Sequence, residues 1–423
     1  MYNLNLAVVG LGKLGLPLAS LLATNGNYVK AFDASESVRA AIRHKSLETN
    51  EPGLNDLLNS ENIQLEVVDS ITEAVIGVDA VFIIVPTPSL PSGHFTNEYL
   101  LDVATKIGVA LEPSQKIVID VVSTVMPGSC DGPIRTALEE SSGRSLGDDL
   151  GLCYNPEFIA LGSVINDMEK PDMHLIGQSS EWAGEIVENA LKSIVKVQVP
   201  SRRMNLKEAE LVKIAVNNYV TMKISFANML MQGSTLLGGI DIDVVTEAIG
   251  LDSRIGRKYL KAAAAYGGPC FPRDTRALSA LFTDLGLPDS LSHATHVVNE
   301  HHSEFLSAQI SRQLSPGTTV GIAGLSYKTG TTVTEESPGL ALATALTKRG
   351  FGIAVWDDEG ATRNLDTTLS SFIVCNSPHD LISKSEFIVV TRPLKDFSNF
   401  ANEVKISKKP FMDLWRQSED QKV

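Results

Sequence analysis

From residue 4 to about residue 200, short β-branched runs alternate with longer amphipathic stretches. That alternation predicts parallel strands joined by helical crossovers. Leu6–Val9, Tyr28–Phe32, Ala80–Val85, Lys116–Asp120 and Gly151–Tyr154 read as strands, with helical patterns such as Leu14–Thr24 and Asn97–Ala110 between them. The character changes between about Asn205 and Val298: Leu206 to Leu237 carries apolar residues at helical spacing with no proline, which predicts one long helix. A second α/β unit opens near Thr318, with strands at Thr319–Ala323, Phe351–Trp356 and Ile388–Val390 and a helix over Pro338–Arg349. The pattern divides the chain into an α/β domain (1–200), a central helical segment (201–300) and a second α/β domain (301–423), with a frayed polar end from Gln417 to Val423.

A chain of 423 residues is longer than one hydrophobic core usually organises, which agrees with several domains. No apolar run is long enough to cross a bilayer, and the opening segment Met1–Val9 lacks a basic n-region and cleavage site, so a cytoplasmic protein is expected. The formal net charge of -14 disfavours nonspecific binding to nucleic acid or anionic lipid, and neither is expected as a partner. Cys130, Cys153, Cys270 and Cys375 form no close pairs, which excludes a disulfide framework and a zinc site. His293, His296, His301 and His302 have no acid–histidine pattern around them; they read as a solvated helix face, and no metal is expected.

Gly10-Leu11-Gly12-Lys13-Leu14-Gly15 follows the first strand directly and opens the first helix, the setting in which such a run binds a dinucleotide. Gly10 permits the tight turn, Gly12 lets the backbone approach a pyrophosphate, and Gly15 lets the helix pack on the strand. Lys13 and Leu14 complete a turn whose N–H groups face the anion. Asp33, 18 residues after Gly15, ends the second strand. A carboxylate there accepts hydrogen bonds from ribose hydroxyls and repels a 2′-phosphate, favouring NAD over NADP; FAD, which shares the fingerprint, stays open. The fold class is therefore α/β, two Rossmann-like α/β domains joined by a long central helix.

Tyr266-Gly267-Gly268-Pro269-Cys270-Phe271-Pro272-Arg273-Asp274 sets a cysteine in a glycine- and proline-rich turn beside a cation and a carboxylate. Two readings stay open for Cys270: a small buried hydrophobe, or a nucleophile whose thiolate Arg273 favours and whose glycines admit a ligand. The other three cysteines lie in apolar or ordinary surroundings and read as structural.

Six blocks in this order resemble the UDP-glucose/GDP-mannose dehydrogenases, which oxidise nucleotide-sugar alcohols to acids in two NAD-dependent steps. The glycine turn resembles the family's first cofactor loop, and Val85-Pro86-Thr87-Pro88 its second. Val122-Ser123-Thr124-Val125-Met126-Pro127-Gly128 is similar to the block of the catalytic threonine, which implies that Ser123 and Thr124 border the cofactor and that Thr124 is catalytic. Asn155-Pro156-Glu157-Phe158 implies a catalytic Glu157 and a substrate contact at Phe158, with Leu161 beyond it. Glu208-Ala209-Glu210-Leu211-Val212-Lys213 followed by Asn217 implies that Lys213 and Asn217 hold the reacting oxygen, and their spacing of four puts both on one helix face. Tyr266 to Asp274 resembles the nucleophile block and implies substrate contacts at Tyr266, Gly267 and Gly268.

The resemblance implies the chemistry as well. A water held by Thr124 and Asp274 takes the alcohol proton, Lys213 and Asn217 stabilise the alkoxide, Cys270 adds to the aldehyde, and Glu157 assists hydrolysis of the resulting thioester. It further implies NAD as cofactor and a homodimer through the long helix, with Arg254 reaching the neighbouring subunit's substrate site.

Departures from the family pattern cluster on the substrate side. Leu161 stands in place of a second acid, His174 in place of an arginine, Pro269 in place of serine and Arg273 in place of lysine. Gly324-Leu325-Ser326-Tyr327-Lys328 keeps the C-terminal lysine turn, but Thr331-Thr332-Val333-Thr334-Glu335-Glu336-Ser337-Pro338 puts Glu335 where an arginine is usual. A glutamate there repels a nearby phosphate. The expected activity is four-electron oxidation of a UDP- or GDP-hexose-like sugar with atypical substrate recognition. The alternatives are a two-electron alcohol dehydrogenase acting on a sugar phosphate or nucleoside, and a catalytically silent NAD-binding protein.

Overall fold

A computed structural model describes residues 3–364 and 371–417; the end from 418 onward, expected to fray, lies outside the described residues. The chain forms two compact units, Met1–Ile214 and Ala215–Val423.

In the first unit the strands β1 (Asn5–Val9), β2 (Tyr28–Phe32), β3 (Leu65–Val67), β4 (Ala80–Ile83), β5 (Ile117–Val121), β6 (Leu150–Tyr154), β7 (His174–Gln178) and β8 (Ser201–Met204) form one sheet. Their order is β3-β2-β1-β4-β5-β6-β7-β8. Leu6 and Val8 pack into one buried cluster while Ala7 and Val9 pack into another, so β1 is covered on both faces. This is why its sequence is uniformly apolar instead of alternating.

The expectation of parallel strands needs one correction. β6 and β7 pair antiparallel, Cys153 opposite Gln178 and Tyr154 opposite Gly177, whereas the other pairings of this sheet are parallel. The connection between them holds only the six-residue helix Val164–Glu169, and the chain returns beside β6 in the opposite sense. β7 and β8 escape the apolar pattern because His174, Gln178, Arg202 and Arg203 interrupt it; charge is a common device at a sheet edge.

The long helix runs from Leu206 to Leu237, 32 residues, as its spacing predicts. Its start is a capping box: Asn205 Oδ1 accepts the N–H of Glu208 at 2.8 Å, and Glu208 Oε2 accepts the N–H of Asn205 at 3.0 Å. The boundary between the compact units falls inside this helix.

The second unit holds β9 (Thr319–Ala323), β10 (Gly352–Trp356), β11 (Ile373–Val374), β12 (Phe387–Val390) and β13 (Phe411–Asp413) in the order β11-β10-β9-β12-β13, with every described pairing parallel. It repeats the glycine turn of the first unit. Gly10 and Gly324 both have φ +100°. The N–H of Gly10 bonds to the Phe32 carbonyl at 2.8 Å, and that of Gly324 to the Trp356 carbonyl at 2.9 Å. The next N–H donates to an aspartate in each case, Leu11 to Asp33 at 2.8 Å and Leu325 to Asp357 at 2.6 Å.

The two turns differ in what fills them. Arg392, 1 % exposed, lies against Gly324, where a Cβ would stand 2.7 Å from its Cγ; its guanidinium meets Asp357 at 3.0 Å and also pairs with Asp358. Among the described residues no helix is long and apolar enough to cross a membrane.

Candidate functional site

The glycine turn of the first unit has the shape that its sequence requires. A Cβ at Gly10 would lie 2.0 Å from the Ile84 carbonyl oxygen, and one at Gly15 would lie 1.8 Å from that of Gly10, so any side chain at either position would break the turn. A Cβ at Gly12 would meet nothing within 4 Å. The turn is closed by backbone at Gly10 and Gly15 and open at Gly12, the glycine expected to face a pyrophosphate. Leu14 precedes the helix Gly15–Thr24, and Lys13 is exposed.

Asp33 directly follows β2. Its Oδ2 accepts from Leu11 N and its Oδ1 from Ser35 N, both at 2.8 Å, which aims the carboxylate across the turn while leaving lone pairs for ribose hydroxyls. The guanidinium of Arg39 sits 5.4 Å from the Phe32 ring centroid and donates to the Asp33 carbonyl at 2.7 Å. Asp33→Ser is expected to weaken NAD about tenfold and to raise the NADP-to-NAD ratio of kcat/KM at least as much. Initial rates with both cofactors check this, and an unchanged ratio removes Asp33 from ribose recognition.

Two further loops meet beside this turn. Ser123 Oγ accepts from Val85 N at 2.9 Å and donates to the Val85 carbonyl at 2.7 Å; Thr87 Oγ1 donates to the Thr124 carbonyl at 2.7 Å. These bonds tie the Val85-Pro86-Thr87 segment to the Ser123-Thr124 segment. Behind them stands Glu210, a residue to which the sequence assigns no role. It is fully buried and accepts from Gly128 N at 2.5 Å and Cys130 N at 2.7 Å, so the long helix holds the end of the Thr124 loop through a charged acceptor. Its signal was its place one turn before Lys213.

Lys213 is 6 % exposed and donates to the Glu157 carbonyl at 2.7 Å, with Nζ 4.6 Å from the Phe158 ring centroid. Burial pushes the Glu157 carboxyl up to about 7, against the opposing pull of the Lys213 charge. Leu161 is half-buried and packs on the core of the first unit, and His174 is buried in β7 as a sheet residue.

Asn217 follows Lys213 by one turn on the long helix. In the second unit its Nδ2 donates to Asp274 Oδ2 at 2.6 Å, and Arg273 Nε lies 3.5 Å from Asp274 Oδ1. Asp274, 1 % exposed, belongs to the first turn of the helix Phe271–Asp284. Cys270 caps that helix and is exposed, which corrects the reading as a buried hydrophobe. Tyr266 is fixed from both sides, its N–H donating to Asn299 Oδ1 at 2.8 Å and its carbonyl accepting from Asn299 Nδ2 at 2.9 Å.

Close approach at Gly267 and Gly268 is made by the chain itself. A Cβ on Gly267 would stand 2.1 Å from the Glu336 carbonyl oxygen, and one on Gly268, at φ +87°, 2.5 Å from the Tyr327 ring. Lys328 is half-buried, the Glu335 side chain is exposed, and Arg254 is exposed and paired with Asp252 at 2.6 Å. The histidine reading also needs correction. His302 is fully buried between Gln232 and the Ala263 carbonyl, and burial pushes it down to about 4, so that residue is a core histidine bonded at both ring nitrogens.

Comparison with known proteins decides the family. The NAD binding domain of the UDP-glucose/GDP-mannose dehydrogenase family matches residues 4–218, its central domain 207–301, and its UDP binding domain 321–419. The chain belongs to this family. It is an NAD-dependent oxidoreductase, and the open glycine turn with Asp33 fits that cofactor. The UDP-glucose 6-dehydrogenase AglM of Haloferax volcanii is 28% identical over 404 residues, 95% of this chain and 94% of the relative. The GDP-mannose 6-dehydrogenase of Pseudomonas aeruginosa is 27% identical over 425 residues, 96% and 95% of the two chains. A UDP-glucose dehydrogenase structure from Pyrobaculum islandicum superposes with a TM-score of 0.88 at 32% identity, covering 98% of this chain and 94% of that one.

Proposed function

We propose that this family member oxidises the primary alcohol of a nucleotide sugar to the carboxylic acid in two steps, with Cys270 as the nucleophile and with altered recognition of the sugar nucleotide. The observation that carries the reading is Cys270 itself: exposed, at the head of a helix whose first turn holds Asp274 buried and bonded to Asn217. NAD, when bound, accepts the hydride in each step.

The chain's own groups supply the rest. Lys213, desolvated and fixed by the Glu157 carbonyl, offers a positive charge to the oxygen that becomes an alkoxide, and Asn217 a directed N–H. Asp274 and Thr124 handle the alcohol proton. Cys270 adds to the aldehyde carbon, and the thiohemiacetal loses its second hydride to become a thioester. Glu157 takes a proton from the water that cleaves the thioester.

Relatives act on UDP-glucose and GDP-mannose, and this chain is proposed to take a sugar nucleotide of that kind read by Lys328, Arg254, Tyr266 and the Gly267-Gly268 turn. Phe158 and Leu161 line the sugar side, and Glu335 replaces the usual cation. An exposed apolar series along the long helix, Tyr219, Phe226, Met229, Leu236 and Leu237, supports a homodimer through that face. In this reading residues 1–200 serve the cofactor, 201–300 dimerisation and 301–423 the substrate.

Incubation with UDP-glucose, GDP-mannose and free sugar phosphates tests the reading, with NADH counted per substrate consumed. Two NADH and an acid support the two-step reading and one NADH with an aldehyde overturns it, as does no turnover of any of them; efficient turnover of UDP-glucose overturns the altered recognition. Because Glu157 acts as a base from a value near 7, the hydrolytic step is expected to rise with pH through about 7 and level above it. Glu157→Gln is expected to flatten that limb and slow hydrolysis by roughly 10²- to 10⁴-fold. A pH profile of acid release measures both.

A further inference from the structure

The segment Ser326–Ser337 of the second unit lies between β9 and the helix Pro338–Lys348 and is folded on itself. The N–H of Tyr327 bonds to the Val333 carbonyl at 2.9 Å, and Ser337 Oγ to the Leu325 carbonyl at 2.5 Å. It meets the cysteine turn of the same unit at several points. The Glu335 carbonyl accepts the N–H of Gly268 at 3.0 Å, two residues before Cys270. The carbonyl of Glu336 crowds Gly267 and the Tyr327 ring crowds Gly268, so closely that neither glycine has room for a methyl group. The Glu336 carboxylate then reaches across to Arg276, in the second turn of the helix that Cys270 caps. Arg276 Nη1 meets Oε2 at 3.1 Å and Nη2 meets Oε1 at 2.5 Å, a two-pronged contact.

Glu336 makes this contact from a strained backbone. Its φ is +46°, in the left-handed region that a residue with a side chain rarely adopts. Strain of this kind persists only where surrounding contacts over-determine it. Here the Gly268 bond, the close fit at Gly267 and the two prongs to Arg276 are those contacts. The ion pair is partly exposed, 35% and 41% for the two side chains, and such pairs add little to overall stability. Its effect is therefore local geometry.

We propose that Glu336 and Arg276 form a latch that positions the Cys270 turn from the Lys328-bearing segment, so that a substrate held by that segment and the sulfur that attacks it are set by one piece of backbone. Both are positioning residues. At Glu335 the backbone carbonyl does the holding, whatever the side chain faces. The proposal rests on Cys270 as nucleophile only for its kinetic consequence; the placement of the turn is testable by itself.

Arg276→Gln, Glu336→Gln and the swapped double variant Arg276→Glu/Glu336→Arg are prepared as full-length chains. Alkylation of Cys270 by iodoacetamide without substrate, followed by mass spectrometry of the peptide, is expected to speed up about fivefold in each single variant as the turn loosens. Acid formation is expected to slow by roughly ten- to hundredfold in kcat, with KM for NAD unchanged, because small misplacements of reacting groups carry large rate penalties. The melting temperature should move by no more than about 4 °C. The swapped pair should restore most of both readouts. Single variants within about twofold of the parent in alkylation and kcat, or a swap no better than the worse single variant, overturn the latch. If Cys270→Ala still makes acid, the nucleophile reading fails instead, and the alkylation rates still decide the latch.

Discussion

Replacing Cys270 by alanine is expected to lower acid formation by at least about 10³-fold, because in the proposed mechanism the second hydride leaves from a thiohemiacetal that the Cys270 sulfur forms. The first oxidation does not need that adduct. The variant should therefore release aldehyde and produce one NADH per substrate in a single turnover. Cys270→Ser should behave similarly, since a hydroxyl lacks the ready ionisation and the nucleophilicity of a thiol. Stopped-flow NADH yield with mass spectrometry of the product distinguishes these outcomes. Acid formed by the alanine variant at close to the parent rate would end the cysteine mechanism.

The largest effect on stability is expected at Arg392. Its guanidinium, 1 % exposed, is the counter-ion of Asp357 and Asp358, and Asp357 also accepts the N–H groups of Leu325 and Ser326. Burial alone would push the Asp357 carboxyl up, but Arg392 and those N–H groups outweigh it and hold the carboxyl below its ordinary value. Arg392→Ala leaves a buried charge without its partner and should destabilise the second unit by about 3–5 kcal/mol. Adding Asp357→Asn to that variant should recover part of the loss, because one of the two stranded charges is gone.

The sign of the pH dependence follows from the depressed carboxyl. The contribution is full above the ordinary aspartate value of 3.8 and is lost as pH falls through the lower folded value. Urea unfolding of parent and variants at pH 7 and in acid measures this. An Arg392→Ala variant as stable as the parent removes the ion pair from any structural role.

Much of the fold is written in local pattern. Gly10, Gly15 and Asp33 are legible because sterics and one short hydrogen-bond pattern confine them to a single arrangement. The long helix is legible because Leu206–Leu237 repeats its apolar spacing without a breaker. β8 is not, since Ser201, Arg202 and Arg203 have no strand signature and are placed by pairing with β7.

The same division runs through the candidate site. The Cys270 turn announces itself by composition, whereas Glu210 reveals its part only when the fold brings it to Gly128 and Cys130, some 80 residues earlier in the chain. Arg392 and Asp357, 35 residues apart, and Arg276 and Glu336, 60 apart, belong to that second kind. For such residues the partner is named by topology, and each side chain alone looks like an ordinary surface charge. Glu335 is the sharpest case, because its side chain drew attention while its carbonyl makes the contact.

The glycine turn recurs in the second unit with the same backbone geometry and a different neighbour. In the first unit a Cβ at Gly12 would meet nothing within 4 Å; in the second Arg392, two residues past β12, lies against Gly324 and pairs with Asp357. One backbone motif thus meets open space at Gly12 in one half and is braced from behind by an internal ion pair in the other. The likeness lies in the backbone and not in the glycine spacing, since Ser326 and Thr329 stand where Gly12 and Gly15 do.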